Sequence, residues 1–93
     1  MQGYIYKVTN KLNNKSYIGL SKDRSIFERW GEHAKLTSSM LSQAIDLYGI
    51  ENFSFGVLEV HENTTNKDLR KRESELIKKY NTINNGYNKI YSH

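Results

Sequence analysis

The sequence predicts an α+β fold: a small three-stranded, mainly antiparallel sheet flanked by about three helices, in a single domain spanning residues 1–93. Three observations carry this reading. Residues 4–9 and 16–20 alternate and are rich in aromatic and β-branched side chains, as strands are. A third alternating run begins at Phe53. Between and after these runs the apolar spacing lengthens to three or four residues, the period of a helix.

Taken in order, the first two strands are joined by Asn10-Lys11-Leu12-Asn13-Asn14-Lys15, whose asparagines tolerate the positive φ of tight turns. A hairpin follows, with its register open. From Ser25, the residues Ile26, Trp30 and Ala34 recur four apart, with Asp23 or Ser25 as N-cap, which predicts a first helix with Trp30 in the core. Beyond Ser38 and Ser39, Leu41, Ala44, Ile45 and Tyr48 predict a second helix closed by Gly49. Phe53, Phe55, Val57 and Glu59 are expected on one face of the third strand, with Leu58 and Val60 on the other. Capping residues at 63–66 introduce a charged third helix from about Lys67 to Tyr80, and Asn84-Asn85-Gly86 makes a final turn.

Composition narrows the function classes. A chain of 93 residues lies near the lower end of sizes that bury an adequate core. Its net charge of +4 suits a polyanionic partner and equally an ordinary soluble protein. With no cysteine, disulfides and thiolate metal sites are excluded. No secretory leader and no apolar run of spanning length are found, so the expectation is an intracellular, cytoplasmic protein with no membrane partner.

Three places in the sequence draw attention for chemistry. On a helical wheel of the third helix, Leu69, Leu76, Ile77 and Tyr80 share one apolar arc, and Glu73 lies in the middle of it. A carboxylate turned toward a core costs several kcal/mol unless it is paired, hydrogen-bonded or bound to a metal, so Glu73 is either half of a structural ion pair or a functional group. Glu75 falls outside the arc. In the hairpin, any pairing across an even-numbered loop puts Tyr6, Tyr17 and Gly19 on one face. That arrangement is either aromatic packing or a surface that a bulky ligand approaches closely. In the first helix, Arg29 and His33 are four apart on the flank of the apolar stripe. They form either a solvated boundary pair or a joint ligand site, Arg29 for phosphate oxygens and His33 for a proton.

Together these residues resemble the GIY-YIG nuclease family along nearly the whole chain. Tyr4-Ile5-Tyr6 stands where the family has Gly-Ile-Tyr, with the glycine substituted and the tyrosine kept, and Tyr17-Ile18-Gly19 reproduces the second tripeptide. The run from Phe27 to His33 resembles the family's helix with its Arg and later His. Tyr48-Gly49-Ile50-Glu51-Asn52-Phe53 is similar to the entry to the third strand, and Arg72-Glu73 followed by Gly86-Tyr87-Asn88 to the family's Glu and later Asn. A further His that some homing members carry after the first helix has no counterpart in Thr37-Ser38-Ser39-Met40-Leu41-Ser42.

The resemblance implies a metal-dependent endonuclease that hydrolyses DNA phosphodiester bonds, nicking one strand per encounter. Glu73 is implied to hold one Mg²⁺ or Mn²⁺, a hard cation that accepts a single carboxylate and retains waters. Tyr6 is implied as general base, with Tyr17 or His33 positioning or relaying the proton and Arg29 stabilising charge on the phosphate. Gly19 and Asn88 are given supporting roles. The rival readings are a non-catalytic nucleic-acid-binding module on the same fold and a protein-interaction domain in which Glu73 pairs with Arg29. Target sequence, oligomeric state and the choice of DNA over RNA are not written in these residues.

Overall fold

The computed structural model describes residues 2–22 and 40–88. The helix predicted from Ser25, with Arg29, Trp30 and His33, lies outside them. Strands β1 (Gly3–Asn10) and β2 (Ser16–Lys22) form the expected antiparallel hairpin, with Tyr6 opposite Gly19 and Val8 opposite Tyr17. Six residues lie between the last pair, Thr9 and Ser16, and the first strand's continuation is closed by Asn10 and Lys15 through a backbone bond of 2.9 Å. Asn14 takes the positive φ of 61° that the turn requires. Asn10 and Asn13 tighten the loop by accepting from the backbone N–H groups of Leu12 and Lys15.

Helix α1 (Met40–Tyr48) is followed by Gly49 at φ 88°, whose N–H donates to the Ile45 carbonyl at 2.8 Å. A side chain there would meet the Glu51 carboxylate, so glycine ends the helix where the sequence placed the stop. One 3₁₀ turn (Ile50–Asn52) leads into β3 (Phe53–His61), which pairs antiparallel with β1 and completes a sheet of order β2-β1-β3. Helix α2 (Asn66–Tyr80) starts at Thr65, whose hydroxyl accepts from the Asp68 N–H, and stops at Asn81 in the left-handed conformation.

The two faces of the sheet bury different layers. Tyr6, Val8, Tyr17 and Phe53 pack against Leu41, Ala44 and Ile45 of α1. Ile5, Ile18 and Leu20 pack against Leu69, Leu76 and Ile77 of α2.

Two expectations are corrected. Glu59 does not share a face with Phe53, Phe55 and Val57. A register shift opposite Ile5 and Tyr6 inserts an extra residue into β3, so Val57 pairs with Tyr6 but Glu59 pairs with Ile5, on the α2 side. Tyr80, placed by the wheel in the apolar arc, is 38% exposed, with the Lys7 ammonium 4.5 Å above its ring. Among the described residues no helix is long and apolar enough to cross a membrane.

Candidate active site

The hairpin register brings Tyr6, Tyr17 and Gly19 together as one unit. The tyrosine rings are 6.3 Å apart between centroids and tilted by 42°, and Phe55 lies 5.1 Å from Tyr6 on the other side. A Cβ on Gly19 would run into the Tyr6 phenol, with Cζ at 2.5 Å, and would come within 2.8 Å of the Tyr17 ring. Real Cβ atoms do not approach so closely, so the absence of a side chain at this position is what admits the Tyr6 hydroxyl.

Of the two readings of the pair, aromatic packing is the one the structure shows. Tyr6 is 0% exposed and Tyr17 7%, because the space beside Gly19 is filled by the phenols and not left for a ligand. Glu73 is also fully buried, as the wheel requires, on the stripe of α2 that carries Leu69, Leu76 and Ile77 to the sheet. Its side chain is closed to solvent. Glu75 is exposed. The tyrosines belong to the layer that faces α1, Glu73 is carried by α2, and β2 touches both helices: Tyr17 packs toward α1, while Ile18 beside it packs toward α2. Arg29 and His33 lie outside the described residues.

Asn88 is buried and bonds the backbone of Ile18 twice. Its Oδ1 accepts from the Ile18 N–H at 2.8 Å and its Nδ2 donates to the Ile18 carbonyl at 2.9 Å. Strand β2 is an edge strand, and these groups point outward, away from β1. Next to it the Tyr87 N–H donates to the Ser16 carbonyl at 2.9 Å, and Ser16 and Gly86 form a parallel bridge. The supporting role assigned to Asn88 thus falls on the strand carrying Tyr17 and Gly19, not on a side chain of the site.

Residues that sequence reasoning passed over stand nearby. Tyr87 accepts a hydrogen bond from Asn10 Nδ2 at 3.1 Å, fastening the hairpin loop to the same segment. Ser21 lies opposite Tyr4 on the tyrosine face, buried, and its hydroxyl finds no hydrogen-bond partner among the described residues. Its place two residues after Gly19 in an alternating strand was the available signal.

A second polar cluster lies between α2 and β3. Arg72 grips Glu59 with Nε at 2.9 and 3.0 Å and Nη2 at 2.6 Å, and His61 Nε2 is 2.7 Å from the same carboxylate. The Arg72 hydrogen bonds hold the Glu59 carboxyl down at about 2, with His61 helping and burial opposing, and Glu59 in turn raises Arg72.

Comparison with known proteins bears on this geometry. Residues 2–88 match the family model described as the GIY-YIG catalytic domain. Intron-associated endonuclease 1 of Enterobacteria phage T4 is 39% identical over 93 residues, covering 95% of this chain and 37% of that protein. Protein 019R of Invertebrate iridescent virus 6 is 35% identical, over 98% of this chain and 34% of its own length. The chain thus spans little more than a third of either relative. Among solved structures, a mutant catalytic domain of the intron endonuclease I-TevI superposes with a TM-score of 0.82 at 34% identity, covering 100% of this chain and 98% of the other. A second structure of the catalytic domain of homing endonuclease I-TevI gives 0.78 at 33% identity. On this full-length agreement of sequence and fold, the chain belongs to the GIY-YIG catalytic domain family.

Proposed function

We propose that this domain is an endonuclease that hydrolyses DNA phosphodiester bonds with one Mg²⁺ or Mn²⁺, nicking one strand per encounter. The observation that supports it most is the packed Tyr6–Gly19–Tyr17 unit in a chain whose fold superposes over its whole length on an endonuclease catalytic domain.

In this reading Glu73 holds the ion. Among the described residues no three His, Asp or Glu side chains converge, and Glu73 is the one carboxylate that this reading assigns to the ion. A single hard oxygen donor suits Mg²⁺ or Mn²⁺, which complete their shells with water and substrate phosphate, and not zinc. When bound, the ion supplies Lewis-acid stabilisation of the leaving oxygen.

The remaining work falls to side chains. Tyr6 accepts a proton from the attacking water. A phenol titrates near 10 when unperturbed, so this role needs a cationic neighbour, and Arg29 is the residue assigned to it from the sequence. Tyr17 or His33 positions the water or relays the proton. Arg29 also hydrogen-bonds the non-bridging oxygens as charge grows on phosphorus. Gly19 and Asn88 position β2 under the tyrosines.

The test incubates the purified chain with supercoiled plasmid and either metal, beside Glu73→Ala and Tyr6→Phe. Open-circular product from wild type alone is expected. Metal-independent nicking, or undiminished cutting by Glu73→Ala, would overturn the mechanism; metal-dependent binding without any cutting favours the non-catalytic module.

A further inference from the structure

A cation and an exposed aromatic ring meet on the α2 side of the sheet, away from the tyrosine unit. Lys7 is half-buried on β1, and its ammonium stands 4.5 Å above the Tyr80 ring at the C-terminal end of α2. Lys79 brings a second ammonium to 5.8 Å from the same ring. Across the strand pair, Lys7 faces Gly56, and beside that position no heavy atom approaches the place where a Cβ would sit within 4 Å. Helix α2 covers β2 and β1 but leaves this stretch of β3 uncovered, so Ser54 and Gly56 are exposed. The outcome is a shelf with a backbone floor, one aromatic wall and two cations.

We propose that this shelf is a second nucleic-acid contact, distinct from the cutting site, which takes one unpaired nucleotide: base on the Tyr80 ring, phosphate on Lys7 and Lys79. It deepens the nuclease reading and rests on nucleic acid being the substrate. A base has a flat apolar face for the ring and an adjacent anion for the ammonium groups, which is how sequence-tolerant single-strand sites are built. An exposed cation–π contact is weaker than a base stacked on an aromatic ring, so a base displaces Lys7 from the ring while its charge shifts to the phosphate. Gly56 leaves room for the sugar. A nuclease that opens its duplex locally would find here a place for the strand that it does not cut.

The experiment measures binding of the whole chain by fluorescence anisotropy in EDTA, with a labelled single-stranded oligonucleotide, an abasic strand of equal length and the corresponding duplex. Tyr80→Ala is expected to weaken single-strand binding by about fivefold, the lower end for one stacked base, and Tyr80→Phe to retain it. Neither should change binding of the abasic strand. Lys7→Gln is expected to lower the slope of log affinity against log salt by about 0.7, the loss of one single-strand phosphate contact. Equal losses by Tyr80→Ala on the abasic and intact strands, or none on either, would overturn the shelf. Plasmid nicking that persists beside such a result leaves the nuclease reading standing, and Tyr80-dependent binding by a chain that never nicks leaves the shelf standing alone.

Discussion

Asn88 spends both ends of its side-chain amide on the backbone of one residue, Ile18, and so acts as a one-residue strand along the outer edge of β2. Asn88→Ala leaves a buried N–H and a buried carbonyl without partners, each worth about 1–3 kcal/mol once desolvated. A loss of about 2–4 kcal/mol in urea unfolding is expected, with a fall in nicking larger than the population of unfolded chain explains, because Tyr17 and Gly19 flank the released residue. Asn88→Asp keeps the acceptor and should retain only part of the stability.

Gly19→Ala places a methyl group against the Tyr6 phenol and the Tyr17 ring. Overpacking of this kind costs about 1–3 kcal/mol. Tyr6→Leu removes the ring atoms, Cζ included, that the methyl would meet, so the double variant should be more stable than the sum of the two single losses predicts. A double-mutant cycle in denaturant measures the coupling, and strict additivity would show that the two residues do not compete for that space.

Glu73→Gln preserves the shape of a fully buried side chain while removing its charge. The variant is expected to fold at least as well as wild type, to lose metal-dependent cutting and to lose the rise in Tm that Mg²⁺ gives. At ten times Kd that rise corresponds to about 1.4 kcal/mol, roughly 6–11 °C for a domain of this size. A metal-induced shift that survives in Glu73→Gln would place the ion elsewhere.

The Arg72–Glu59 pair makes an acid-side prediction. Glu59 titrates at about 2 in the folded chain against an ordinary 4.5, so its contribution is present above the ordinary value and is lost as pH falls toward 2. Glu59→Gln should flatten the fall in stability across that window, seen as Tm against pH, and leave the neutral-pH fold in place.

The sequence made legible those features that depend on one element. Alternation located all three strands within a residue or two, Gly49 ended α1 as its position implied, and the wheel found Glu73 buried because helix periodicity alone sets that direction. Parity alone put Tyr6, Tyr17 and Gly19 on one face. Features that depend on two elements were not legible. The bulge that turns Glu59 toward Arg72 arises from the pairing of β3 with β1, and no local pattern marks it. Tyr80 stays half-exposed because the strand residue that meets its ring is a lysine, Lys7, and not an apolar side chain. The burial of the tyrosine unit follows from the fit of Gly19 to Tyr6 across a register the sequence left open. The stretch from Tyr87 onward carries no local pattern, since Asn88 is held by bonds to an edge seventy residues away.

That separation sets an order of events. The edge of β2 has its N–H and carbonyl groups ready as soon as the hairpin forms, but Asn88 must leave the ribosome before they are satisfied. During synthesis the strand bearing Tyr17 waits as an open edge, the state in which a chain pairs with the wrong neighbour. Closing it is a long-range contact, made by a residue seventy positions further along the chain.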